Sequence, residues 1–158
     1  MKTLIIYTTQ HGCTEECAIK LQQQLNSDAE LINIKKQKSG NLDDFKTIII
    51  GGSIHAGQIQ RKIKKFCQEN LDKLKQKKLG LFLCCMEEGE KAQKQFQDAF
   101  PTELIQHATT TGIFGGEFNF EKMNFIEKAI IKKIAKIEKS VSKIDEKSIL
   151  EFAEKIKD

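Results

Sequence analysis

The sequence has no tryptophan, a single tyrosine (Tyr7) and a single proline (Pro101) in 158 residues. With 39% hydrophobic and 30% charged residues, that composition excludes proline-rich, fibrous and disordered classes. It predicts one globular domain over residues 1–158. A domain of this size buries roughly 70% of its unfolded surface and needs no disulfide or metal staple to fold. The five cysteines, Cys13, Cys17, Cys67, Cys84 and Cys85, contain no CxxC pair. Their odd number predicts reduced thiols and no metal site. No apolar run approaches the roughly 20 residues that span a bilayer, and Met1-Lys2 leads into an apolar strand without a signal-type cleavage region. A soluble, cytoplasmic protein is the expectation.

Two phosphate motifs are also missing. Neither GxxxxGK[ST] nor a GxGxxG after the first strand is present, which argues against an ATP site or a dinucleotide fingerprint. The formal net charge is only +4, but it is unevenly spread: Arg61 to Lys78 carries eight basic residues against Glu69 and Asp72. The remainder of the chain is therefore slightly acidic. Phe66 is the single aromatic residue among these lysines and no nucleic-acid-binding motif is present, so no nucleic-acid partner is expected.

What is present is an alternation of β-rich runs and helical spacings, each change marked by glycine or a polar cluster. Strands are predicted at Thr3–Thr8, Glu30–Ile34, Lys46–Gly52, Leu79–Cys85 and Leu104–Gly112. Helices are predicted at Thr14–Leu25, from Ile59 to Leu74, at Glu90–Phe100, along the stripe Met123, Ile126, Ile130, Ile134 and Ile137, and around Ile149–Ile156. Ile48-Ile49-Ile50 reads as a central strand covered on both faces. The pattern implies an α/β fold, a three-layer doubly wound parallel sheet whose ligands bind beyond the carboxyl ends of the strands.

The first such loop is Thr8-Thr9-Gln10-His11-Gly12-Cys13-Thr14. It precedes a helix whose first N–H groups lack intrahelical acceptors and carry partial positive charge, which is a phosphate-binding geometry. The plainer alternative is a capped turn with Thr14 as cap. Position directly after the first strand favours phosphate.

At this point the residues carry a resemblance. The T-x-x-G-x-T spacing of Thr9 to Thr14 resembles the flavodoxin phosphate loop. Gly51-Gly52-Ser53-Ile54-His55-Ala56-Gly57 resembles a loop of the flavodoxin subgroup that includes menaquinone-dependent protoporphyrinogen oxidases, as does Gly115-Gly116-Glu117-Phe118 with the basic apolar helix after it. The resemblance implies a flavodoxin-like five-stranded sheet in the order 2-1-3-4-5 and one non-covalent FMN. Its phosphate would lie on Thr9, Gln10, His11, Gly12, Cys13 and Thr14. Its ring would lie between Ser53, Ile54, His55, Ala56 and Gly57 on one side and the Cys84–Gly89 loop, with Cys85, Met86, Glu87 and Gly89, on the other, near Gly115 and Gly116. No side-chain nucleophile is implied. Flavodoxins commonly stack the ring on Trp or Tyr; this chain offers His55, Ala56 and Met86.

His11 and His55 are candidates to donate to the phosphate or a ring carbonyl, whereas His107 is expected inside the last strand in a structural or surface role. Adjacent Cys84 and Cys85 should face opposite sides of the sheet as small buried hydrophobes. Cys13, at a helix N-terminus, has a stabilised thiolate, but packing beside the phosphate is its expected role. The Phe125–Lys139 helix has two readings: a core helix with a solvated lysine face, or a helix resting peripherally on an anionic membrane.

Three functions follow: an electron carrier steered by its basic segment to an acidic redox partner; an FMN-dependent oxidase or quinone reductase docking a quinone or porphyrinogen near Phe114 to Phe120; and a flavin-free interaction module on the same fold.

Overall fold

Ile48, Ile49 and Ile50 are completely buried. Successive side chains of a strand face opposite ways, so such a run needs cover on both sides. In the computed structural model, which describes residues 2–26, 28–118, 120–135 and 140–158, both sides are covered. The strands are β1 (Thr3–Tyr7), β2 (Ala29–Asn33), β3 (Thr47–His55), β4 (Gln58–Ile59), β5 (Lys78–Cys84) and β6 (Thr110–Ile113). The main sheet runs β2-β1-β3-β5-β6, all parallel. This is the expected 2-1-3-4-5 order, renumbered only because the two-residue β4 folds back antiparallel on β3.

One face of the sheet, with Leu4, Ile6, Ile48, Ile50, Leu79, Leu81 and Leu83, packs on helices α2 (Arg61–Glu69), α3 (Leu71–Leu74), α4 (Gly89–Ala99) and α5 (Thr102–His107) through Ile63, Cys67, Leu74, Ala92, Phe96 and Leu104. The other face, with Ile5, Tyr7, Ile49, Phe82 and Cys84, packs on α1 (Cys13–Gln24) and on the C-terminal helix, Glu146–Lys157, through Cys17, Leu21, Ile149, Phe152 and Ile156. Each fully buried Leu, Ile or Phe contributes about 1.5–3 kcal/mol. Phe82 stacks on Phe114 at 4.7 Å between centroids, and Phe152 meets Phe114 edge-on at 5.3 Å. Glycine beside these rings is a packing requirement: a Cβ on Gly51 would overlap the Phe82 ring.

Several expectations are corrected. The segment expected as the strand Leu104–Gly112 begins as α5, and only Thr110–Ile113 is strand. Pro101 ends α4 but also stands at the N-cap of α5, with φ −56°, the ring-compatible value that starts a helix as readily as it stops one. His107 therefore closes a helix, with its Nε2 2.8 Å from the Lys77 carbonyl. The helix expected from Ile59 to Leu74 breaks at Asn70, and Ile59 belongs to β4.

After β6 the chain makes an excursion. It forms β7 (Glu117–Phe118), a helical turn over Phe120–Lys122 and α6 (Phe125–Ala135), then returns through β8 (Val141–Ser142), which pairs antiparallel with β7. The C-terminal helix, now α7, follows. Among described residues α6 contributes to neither core cluster, and Phe125, Ile126 and Ile130 are exposed. The core-helix reading is thus corrected: α6 caps the edge of the molecule where the strand ends lie. Its expected continuation through Ile137 and Lys139 lies outside the described residues. No helix among those described is long and apolar enough to cross a membrane.

Candidate functional site

The carboxyl ends of β1, β3 and β5 surround one cavity of about 430 Å³. The first loop contributes Thr9, Gln10, His11 and Cys13. The next wall is Ser53 to Gly57, and the third is Cys84 to Glu87. The expected site residues Gly12, Thr14, Gly89, Gly115 and Gly116 do not line it. Gly89 and Gly115 border a neighbouring open depression with Glu87, Lys143 and Asp145. Gly116 is packed against the Cys85 backbone, where a Cβ would come within 2.8 Å of the carbonyl carbon.

Thr9 and Gly12 shape the first loop. Gly12 donates its N–H to Thr9 Oγ1 at 2.9 Å, and it sits at the N-cap of α1 with φ +95°, a conformation that favours glycine. No side chain caps this helix. That rules out the capped-turn reading, since Thr14 lies inside α1 and its buried Oγ1 has no hydrogen-bond partner. The loop contains no cation of its own, but Lys122, from the distant excursion, brings its Nζ to 2.8 Å from where a Cβ on Gly12 would stand. An anion at the loop would thus meet free N–H groups, a hydroxyl and an ammonium together.

The second wall is a hairpin where a loop was expected. β3 runs on to His55 and turns through Ala56 (φ 51°) and Gly57 (φ 77°) into β4. Two successive positive φ values are the signature of the two-residue type I′ turn. Gln60 fixes its base: Ser53 N–H donates to Gln60 Oε1 at 2.9 Å and Gln60 Nε2 donates to Ser53 Oγ at 2.7 Å. The Ser53 hydroxyl proton is then free to point at His55 Nε2, 3.0 Å away. Burial, and next the nearby His11, holds the His55 pKa below its usual value, consistent with a neutral imidazole accepting that proton. The His11 and His55 rings meet edge-on at 5.8 Å.

The excursion supplies the remaining walls through Glu117, Met123, Glu127, Ile130 and Ile131, and α4 supplies Gln95. Glu127 accepts from Gln10 Nε2 at 3.0 Å and lies 2.6 Å from His11 Nε2. Burial opposes its ionisation, but bonds from His11, the Asn124 backbone and Gln10 outweigh that and lower its pKa. Gln95 Oε1 is buried without a partner. None of Gln95, Lys122 and Glu127 was legible as a site residue, because each is placed by a fold contact and not by a local pattern. Phe114, expected beside a docking substrate, is wholly buried in the core; the Phe118 and Phe120 side chains lie outside the described residues.

Cys84 and Cys85 do face opposite sides of the sheet, one in each core cluster. Cys85 is pushed up to about 11 by burial. Cys13 is turned inward: its Sγ lies with those of Cys17 and Cys84 in a group within 4.8 Å of one another.

A doubly wound parallel sheet in this order, with an anion-ready loop after β1, is the flavodoxin-like α/β architecture. Residues 4–145 match the family model described as "Flavodoxin domain", and the chain belongs to that family. Among solved structures it is similar to the flavodoxin, WrbA-like protein from Agrobacterium tumefaciens (14% identity, 99% of this chain and 95% of that one, TM-score 0.60). It is also similar to the flavodoxin of Streptococcus pneumonia TIGR4 (14%, 99% and 98%, 0.58). A third similar structure is a Fusobacterium nucleatum flavodoxin bound to flavin mononucleotide (16%, 99% and 98%, 0.52). No curated protein matches the chain.

Proposed function

We propose that this protein binds one FMN non-covalently and transfers electrons through it. The observation that carries the reading is a pair of orphaned polar atoms. Among described residues, the buried side-chain atoms without a hydrogen-bond partner are Thr14 Oγ1 and Gln95 Oε1, one under the phosphate-type loop and one in the cavity wall. Leaving such groups unpaired costs about 1–3 kcal/mol each. A phosphate oxygen would accept from the first, and the imide N–H of a flavin ring would donate to the second.

The side chains present suit the group. Thr9, Thr14, the α1 N-terminus and Lys122 would hold the phosphate, while Ser53 to Gly57 and Cys85 to Glu87 would flank the ring. Ile54, Met86, Met123, Ile130 and Ile131 give the cavity an apolar lining in place of the stacking aromatics common in flavodoxins. FMN supplies reversible electron uptake and release when bound; the chain orients it and excludes water.

The redox partner would be an acidic protein meeting Arg61 and Lys62, which are exposed beside the hairpin. Much of the remaining basic segment is used internally: Lys73 pairs with Asp43 at 3.0 Å and Lys75 with Glu103 at 3.1 Å.

Exposed Phe125 and Ile126, 86% and 68% accessible on the helix that walls the cavity, favour a second reading. Turnover of an apolar quinone or porphyrinogen, in the manner of the protoporphyrinogen oxidases that the hairpin sequence resembles, would use that surface for the substrate or for a membrane that holds it.

Titration of the FMN-free chain with FMN and with riboflavin, followed by flavin fluorescence, tests the first reading. FMN should bind more than tenfold tighter than riboflavin, because only FMN engages the loop; binding of neither would overturn it. Turnover of a quinone by the loaded protein would decide for the second.

A further inference from the structure

Three of the five cysteines are gathered by the fold into one place. Cys13 and Cys17 are four residues apart and so lie on one face of α1. Cys84 ends β5 on the sheet face that α1 covers. Their sulfurs all lie within 4.8 Å of one another. No CxxC spacing announces this, because one turn of helix and one strand end, 67 positions apart, have to meet first.

We propose that Cys13, Cys17 and Cys84 form a binding site for a soft divalent cation of the zinc group, three thiolates holding the ion and a fourth position open to the cavity. A zinc–sulfur bond of about 2.3 Å places tetrahedral ligands about 3.8 Å apart, so the cluster needs to contract by no more than about an ångström. Ligand type selects the metal: thiolates favour soft cations over magnesium or calcium. The open side follows from which sulfurs reach the surface of the cavity. Cys13 and Cys84 line it with His55 beside them, while Cys17 closes the far side and is completely buried.

Binding replaces the three S–H bonds by S–metal bonds and releases their protons to solvent, giving a site of net charge −1. The positive end of α1, where Cys13 is the first residue, offsets that charge. Cys67, as buried as Cys17, belongs to no such cluster among the described residues and serves as the control.

The test is an anaerobic titration of the reduced, FMN-free chain with cadmium chloride, followed by sulfur-to-cadmium charge-transfer absorbance and the cadmium NMR shift. One ion per chain should bind with the intensity and shift of three thiolates. Cys17→Ala and Cys84→Ala should each lose intensity and affinity, and Cys67→Ala should match the unsubstituted chain. Should either variant fail to fold, by circular dichroism, the NMR shift of the unsubstituted chain still counts the sulfurs. A signal of two thiolates or fewer, or one unchanged in folded Cys17→Ala and Cys84→Ala, overturns the proposal. Flavin is absent throughout, so the result is independent of FMN binding.

Discussion

His11 Nε2 lies 2.6 Å from Glu127 Oε2, and Gln10 Nε2 donates to the same oxygen at 3.0 Å. Two side chains of the phosphate-type loop are thus held by a carboxylate from α6. Glu127→Gln removes a negative charge facing the incoming phosphate and loosens both donors. FMN affinity should rise a few-fold, within the roughly 1 kcal/mol of a partly exposed charge interaction, and a fluorescence titration reads it. A fall would mean that Glu127 orients the loop for the ligand.

Lys122 acts with the opposite sign. Lys122→Gln should weaken FMN by about tenfold, the scale of one partly exposed charge-assisted hydrogen bond, and leave riboflavin unchanged. The salt dependence of FMN binding should also become shallower.

Thr14→Val separates folding from binding. With no ligand, it replaces an unpartnered buried hydroxyl by a methyl group of similar shape and should stabilise the chain by about 1 kcal/mol. FMN should bind at least about tenfold more weakly, as expected for a lost bond to a charged group. Urea unfolding and fluorescence titration on one sample check both halves.

Gly51→Ala places a methyl group in the space of the Phe82 ring. That ring is fully buried between Phe114 and Phe152, so overpacking should cost about 3 kcal/mol, visible as a fall in Tm. Gly51→Ala with Phe82→Leu should recover most of it.

The pH dependence follows from His55. Its folded pKa is below the ordinary value near 6.5, so the unfolded chain takes up a proton first as the pH falls. Stability of the FMN-free protein is therefore full above that value and declines as the pH drops through about 6.5 toward the folded pKa. Glu127 and Asp145, both lowered by the hydrogen bonds they accept, extend the loss into the carboxylate range. His55→Gln should flatten the first part of the decline in urea midpoints and leave the second.

How much of this was legible in the sequence depends on the distance over which the information is stored. The three isoleucines at 48–50 show their burial as an unbroken apolar run between glycine and polar residues, the stripe Cys17, Ala18, Leu21 of α1 shows it in helical spacing, and the strand order followed from the strand–helix alternation and the family resemblance. Leu104 and Ile105 misled because a short apolar run has no period of its own; the Pro101 N-cap made it helical. The hairpin at Ala56-Gly57 was hidden because its first turn residue is alanine, a residue that rarely takes a positive φ. Lys122 and Glu127 were beyond local reading altogether, since Glu127 meets His11 across 116 positions of chain.

The excursion is clasped at its base, where β7 (Glu117–Phe118) and β8 (Val141–Ser142) pair side by side as a two-stranded sheet of their own. Its point of departure and its point of return are therefore neighbours, and the doubly wound core closes without it. What the excursion adds to the cavity between Met123 and Ile131 lies beyond that clasp, tied back to the β1 loop by Glu127. Substitutions along that stretch would retune what the cavity accepts while the two core clusters, to which α6 contributes no described residue, keep their packing.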